Sequence, residues 1–96
     1  MRYLVVDGMF SGTGIRDAVG GGYLTADEIG ISKSLSDKIV LWLSEYETEH
    51  YNSYSNTENV SRLDSIGISI AKQLQLELPE SKIEYYSAAN CVRVIF

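Results

Sequence analysis

The segment Val5-Val6-Asp7-Gly8-Met9-Phe10-Ser11-Gly12-Thr13-Gly14 has the residue order of a ligand loop, an apolar run leading into Gly-x-Gly. In cofactor and nucleotide sites such glycines admit the ligand, and the N-terminus of a following helix faces it. Here Gly20-Gly21-Gly22 follows where that helix should begin, and the rest of the chain lacks repeated βαβ units. Turn geometry is the better explanation, with a small ligand or nucleotide held by loop 7–14 as the alternative. His50 is the single histidine and has no sequence neighbour that marks it as a general base; at a helix end an imidazolium suits the negative dipole. Cys91, the single cysteine, heads an apolar run, where a small buried hydrophobe is the usual role. Asp7, Asp17, Asp27 and Glu28 fit no calcium-loop spacing. No catalytic set and no metal or cofactor site is expected.

The stretch Glu45-Tyr46-Glu47-Thr48-Glu49-His50-Tyr51-Asn52-Ser53-Tyr54 has a different chemistry. Between Lys38 and Arg62 the chain has no Lys or Arg, while Glu45, Glu47, Glu49 and Glu58 are all acidic. Tyrosine gives rigid, amphipathic contact area, and carboxylates set among tyrosines suit a surface that receives Lys and Arg. Glu45, Glu47, Glu49, Tyr51 and Tyr54 are therefore the first candidates for a partner-binding site. Asp17, Tyr23, Asp27 and Glu28 in the glycine-rich segment are the second. The competing reading is a helix end whose acids face water and whose Tyr46 packs inward. Glu45 and Glu49, four residues apart, share a helix face and repel.

The elements that must position these groups are short. Tyr3–Val6 is a β-prone run closed by Asp7-Gly8. Met9–Ile31 contains six glycines, Gly12, Gly14, Gly20, Gly21, Gly22 and Gly30, and reads as an ordered loop with one helical turn at Thr25–Glu28. Leu35, Ile39, Trp42, Leu43 and Tyr46 then follow helical spacing, predicting a helix from Ser34 to about Tyr51. Ser34 or Ser36 would cap it, and Asp37, Lys38, Glu45 and Glu49 would form its exposed face. Asn52–Asn59 reads as a loop. A second helix capped by Asn59 or Ser61 carries Leu63, Ile66, Ile70, Leu74 and Leu78 inward and ends at Pro79. Gly67 and Ala71 allow close approach. Lys82–Ser87 alternates as a strand, Ser87–Asn90 turns, and Cys91–Phe96 is a last strand. The expected fold is α+β, with two antiparallel helices on one face of a small, mostly antiparallel sheet, in the order β-loop-α-α-β-β.

Ninety-six residues make one domain, 1–96, and a formal charge of −5 argues against direct binding of nucleic acid or an anionic membrane. One cysteine excludes an internal disulfide, and no run is long enough to span a membrane. The expected place is the cytoplasm.

Leu35, Ser36, Trp42, Glu45 and Tyr46, followed by Asp64, Gly67, Ala71, Leu74, Glu77 and Leu78 and then Ile83-Glu84-Tyr85, form a layout that resembles a group of small bacterial proteins. With Gly21-Gly22-Tyr23-Leu24 before them, they are similar to immunity proteins encoded beside polymorphic bacterial toxins, including those of contact-dependent growth inhibition. The chain departs from that pattern at Met9–Gly14. The resemblance implies a non-enzymatic inhibitor that binds one cognate toxin domain, a basic nuclease such as a tRNase or DNase, and occludes it. Members differ mostly on their surfaces, so the resemblance transfers no contact residue. An adaptor domain of a larger complex is the blander alternative.

Overall fold

The computed structural model describes residues 2–9 and 12–95; Phe10 and Ser11 of the glycine motif and Phe96 of the last expected strand lie outside them. Tyr3–Asp7 forms β1 and Ile15–Asp17 forms β2. Ala26–Ile29 is a one-turn helix α1, followed by α2 (Lys33–Tyr51) and α3 (Thr57–Glu77). Lys82–Ser87 and Val92–Ile95 are β3 and β4. The sheet order is β2-β1-β3-β4. β1 runs parallel to β3 at its centre, and both outer pairs are antiparallel. Two helices, α2 and α3, pack on one face, so the structure is α+β with a mixed sheet.

Strand alternation divides the sheet cleanly. Leu4 and Val6 of β1 and Ile83 and Tyr85 of β3 point to the helices and join Leu35, Ile39, Trp42, Tyr46, Leu63, Ile70 and Leu74 in one core. α3 approaches the sheet closely because Gly67 has no side chain: a Cβ there would lie 2.2 Å from the Tyr85 ring of β3. Trp42 lies against Tyr46 and Tyr85 with ring centroids 5.5 and 6.2 Å apart, and its indole N–H donates to the Leu63 carbonyl at 2.9 Å. The other sheet face carries Asp7 and Glu84, each 1 % exposed without a helix over them. Asp7 accepts from Arg16 at 3.0 Å and from the Tyr23 hydroxyl at 2.9 Å. Glu84 accepts from the Tyr3 hydroxyl, and Arg93 lies 3.9 Å away. Tyrosine rings and guanidinium groups thus stand in for a second helical layer.

Several local expectations shift. β2 falls inside the segment expected to be a loop, because three residues reach strand geometry only by pairing with β1. The turn after it returns through Gly20-Gly21-Gly22: Gly21, at φ +83°, donates its N–H to the Asp17 carbonyl at 2.8 Å, and the Asp17 N–H donates to the Gly22 carbonyl at 2.8 Å. Ser32 caps α2, its hydroxyl accepting from the Leu35 N–H, in place of Ser34 or Ser36. Asn56 caps α3 through the Asn59 N–H, in place of Asn59 or Ser61. Both helices therefore begin earlier than apolar periodicity alone marks. Cys91 is exposed, with φ +55°, because it closes the β3–β4 turn instead of entering β4. Among the described residues no helix is long and apolar enough to cross a membrane.

Candidate functional site

The acidic run lies on the second half of α2, and helix geometry splits it. Residues two apart on a helix point roughly 200° apart. Glu45 and Glu49 accordingly face α3, and Glu47 faces the glycine-rich segment.

On the α3 flank, Arg62 reaches back to Glu45, Nη2 to Oε1 at 3.3 Å. The same guanidinium donates to Asn59 Oδ1 at 2.7 and 2.9 Å, and Asn59 Nδ2 donates to Glu49 Oε1 at 2.6 Å. One cation thus serves Glu45 directly and Glu49 through an amide. The expected repulsion between these glutamates is answered within the chain. Glu49 is also not on an exposed face: it is 4 % exposed and continues the buried stripe Leu35, Ile39, Trp42, Tyr46. Its Oε2 is buried and has no hydrogen-bond partner among the described residues. A buried carboxylate oxygen without a donor is costly, because nothing replaces the water it gave up. Beside this corner, Asn56, Glu58, Asn59 and Arg62 line a shallow polar hollow of about 350 Å³.

Tyr51, 74 % exposed, ends α2 at the same corner. Tyr54 is half-buried, its ring 6.1 Å from Tyr46, and burial pushes its hydroxyl pKa up. The Tyr54 hydroxyl lies 3.1 Å from His50 Nδ1. Tyr54 and Ser53 both have positive φ, near 55°, which turns the chain sharply from α2 into α3.

On the opposite flank, Glu47 stands at a groove of about 410 Å³ between α2 and the segment Thr13–Ile31. Its walls include Ile15, Leu24, Ile39, Leu43 and the exposed Val40. Among the described residues, no hydrogen bond or ion pair reaches the Glu47 carboxylate, and no Lys or Arg lines the groove. Thr25 and Ala26 line it too, so the one-turn helix that carries Asp27 and Glu28 forms its rim.

The second-choice residues divide by role. Asp17 accepts from the Val19 and Gly20 N–H groups, and these bonds, Gly20 foremost, hold its carboxyl below the usual range. Glu28 completes a capping box with Thr25, whose backbone N–H and then hydroxyl lower its pKa. Both carboxylates already serve backbone geometry. Tyr23 donates to Asp7, and burial followed by that bond pushes its pKa up to about 12. Asp27 is exposed.

The glycines of the ligand-like loop serve packing. A Cβ at Gly8 would lie 2.7 Å from the Tyr46 ring, and one at Gly12 would lie 2.6 Å from the Tyr23 ring. Gly14, at φ +92°, passes its carbonyl to the Asp7 N–H at 3.0 Å. The backbone at Gly8 and Gly12 approaches tyrosines of the same chain, and that at Gly14 approaches Ile39.

Sequence reasoning did not single out Asp64 as a structural centre. Its Oδ1 accepts from the hydroxyls of Tyr46 at 2.8 Å and Tyr85 at 2.6 Å, and its Oδ2 from Ser87 at 2.8 Å and Asn90 at 3.2 Å. Burial and, for Tyr85, this bond push both tyrosine pKa values up. The four donors fill the carboxylate's acceptor sites, so Asp64 ties α2, α3 and β3 together. Among the described residues no group of three His, Cys, Asp or Glu side chains is arranged to hold a metal ion. No family model matches this chain, and no curated protein is significantly similar to it.

Proposed function

We propose that this chain is a stoichiometric inhibitor, an immunity protein that binds the basic domain of a cognate toxin, a tRNase or DNase, and blocks it without catalysis of its own. The observation that carries the reading is the corner where α2 meets α3. There the half-exposed Glu45, the exposed Glu58 and the exposed Tyr51 stand together over the buried Glu49. A Lys or Arg brought by a partner would pair with the accessible Glu45 and Glu58 carboxylates, on a corner already fixed by the Asn59 bond to Glu49. Tyr51 offers the aromatic contact that anchors such interfaces. The chain's charge of −5 favours encounter with a basic surface, and the resemblance in layout to toxin-immunity proteins points the same way. Such an inhibitor acts where the toxin acts, in the cytoplasm.

The test is co-expression with the toxin domain encoded beside this gene, followed by calorimetric titration at two salt concentrations. The expected result is nanomolar affinity that weakens with salt, together with rescue of growth. Glu45→Lys combined with Glu58→Lys should slow association by roughly tenfold or more at low salt. No binding by the wild-type chain would overturn the proposal. Binding that ignores the double substitution would move the interface elsewhere.

A further inference from the structure

We infer that the groove between α2 and the glycine-rich segment is a second recognition site, which takes an apolar side chain followed by a Lys or Arg from a protein partner. The inference rests on the reading of a basic protein partner and names what that partner inserts. Two features of the groove select this occupant. Its walls, with Ile15, Leu24, Ile39 and Leu43, offer apolar surface, and Val40 stands 65 % exposed at the edge. Its one ionisable lining group is Glu47, which no cation of the described residues neutralises.

Charge and apolar wall are also correctly spaced. Val40 and Glu47 are separated by roughly 10 Å along the α2 axis. That distance matches about two turns of a bound helix or about three residues of an extended strand. An apolar residue seated by Val40 therefore places a cation on the same segment within reach of Glu47, while the aliphatic stem of that cation covers Leu43. Asp27 and Glu28 on the rim add negative potential of the same sign. The volume, about 410 Å³, accommodates one large side chain and part of a second. The segment holding the far wall is itself fixed, through the Thr13 hydroxyl bonded to the Leu24 carbonyl at 2.6 Å and the Leu24 N–H bonded to the Ile15 carbonyl at 2.9 Å.

The probe is a blocked amphipathic peptide of leucine and lysine at helical spacing, titrated into the isotopically labelled full chain and followed by amide shifts. A leucine–glutamate peptide of the same pattern is the control. The expected result is shifts confined to Thr13, Leu24, Ala26, Val40 and Ser44, with the lysine peptide binding at least roughly tenfold more tightly. Val40→Asp should abolish binding and Glu47→Lys should weaken it by roughly tenfold; both positions are on the surface, so the unbound spectrum should keep its dispersion. Equal affinity for both peptides, shifts centred elsewhere, or a Glu45→Gln variant that loses as much as Glu47→Lys would each overturn the inference. The last outcome would reduce it to general acidity. None of these readouts uses the toxin domain, so failure here and failure of the titration above are distinguishable.

Discussion

On the flank of α2 that meets α3, Glu45 and Glu49 belong to a bonded network with Arg62 and Asn59, whereas on the flank that meets the glycine-rich segment Glu47 stands over an apolar wall with no partner among the described residues. The residue type is the same and the positions differ by two. What differs is the neighbour that each flank happens to face, a polar helix start on one side and aliphatic side chains on the other. A run of acids on a helix is therefore not one surface. One part is partly neutralised within the fold and offers a partner its remaining charge, and the other keeps its charge whole.

This contrast breaks most readily at Asn59. Asn59→Ala removes the donor that holds Glu49 Oε1, leaving a buried carboxylate with neither oxygen bonded, and should cost about 2–3 kcal/mol in urea unfolding. Glu47→Ala should stay within about 0.5 kcal/mol. Similar costs for the two would erase the distinction between the flanks. A smaller effect sharpens it: a double-mutant cycle on Glu45 and Arg62 should give a coupling of about 0.2–1 kcal/mol that falls with salt, since both side chains are about half exposed at 3.3 Å separation. A coupling above that range would mean that Arg62 is more enclosed than its exposure indicates.

A further effect belongs to the glycine-rich side and appears only at high pH. Tyr23 has its pKa raised from 10.0 to about 12, so it remains neutral where the unfolded chain ionises. Its contribution is whole below pH 10 and is lost as pH rises through about 12. The melting temperature should fall across that window, and less steeply in Tyr23→Phe. Equal slopes would remove the hydroxyl as a stabiliser of the wall opposite α2.

Much of the fold was legible in the sequence where the pattern is local. β3 was read with its observed bounds because Lys82–Ser87 alternates, and the core of α3 because Leu63, Ile70 and Leu74 keep helical spacing. Elements that exist through distant pairing were not. β2 depends on β1, with Val5 opposite Arg16, and a segment of three residues has no period of its own. The apolar pattern does not mark either helix start, because Ser32 and Asn56 act through hydroxyl and amide groups outside it. In the candidate site, the burial of Glu49 was present as a signal, since 39, 42, 46 and 49 continue one stripe. Its acidic type argued for water and outweighed its position. The return of Arg62 to Glu45 had no local signature at all.

The parallel pairing of β1 with β3, Tyr3 opposite Lys82 and Asp7 opposite Tyr86, has a consequence for how the chain acquires its shape. β1 acquires its central neighbour only after both long helices have been synthesised. Until then Leu4 and Val6 cannot settle between sheet and helices. Contacts so distant in the chain slow the search for the native state. The corner of α2 and α3 and the groove beside Glu47 therefore gain their full support only once β3 has joined β1. A chain interrupted before Lys82 would carry the acidic run of α2 without the sheet that supports it.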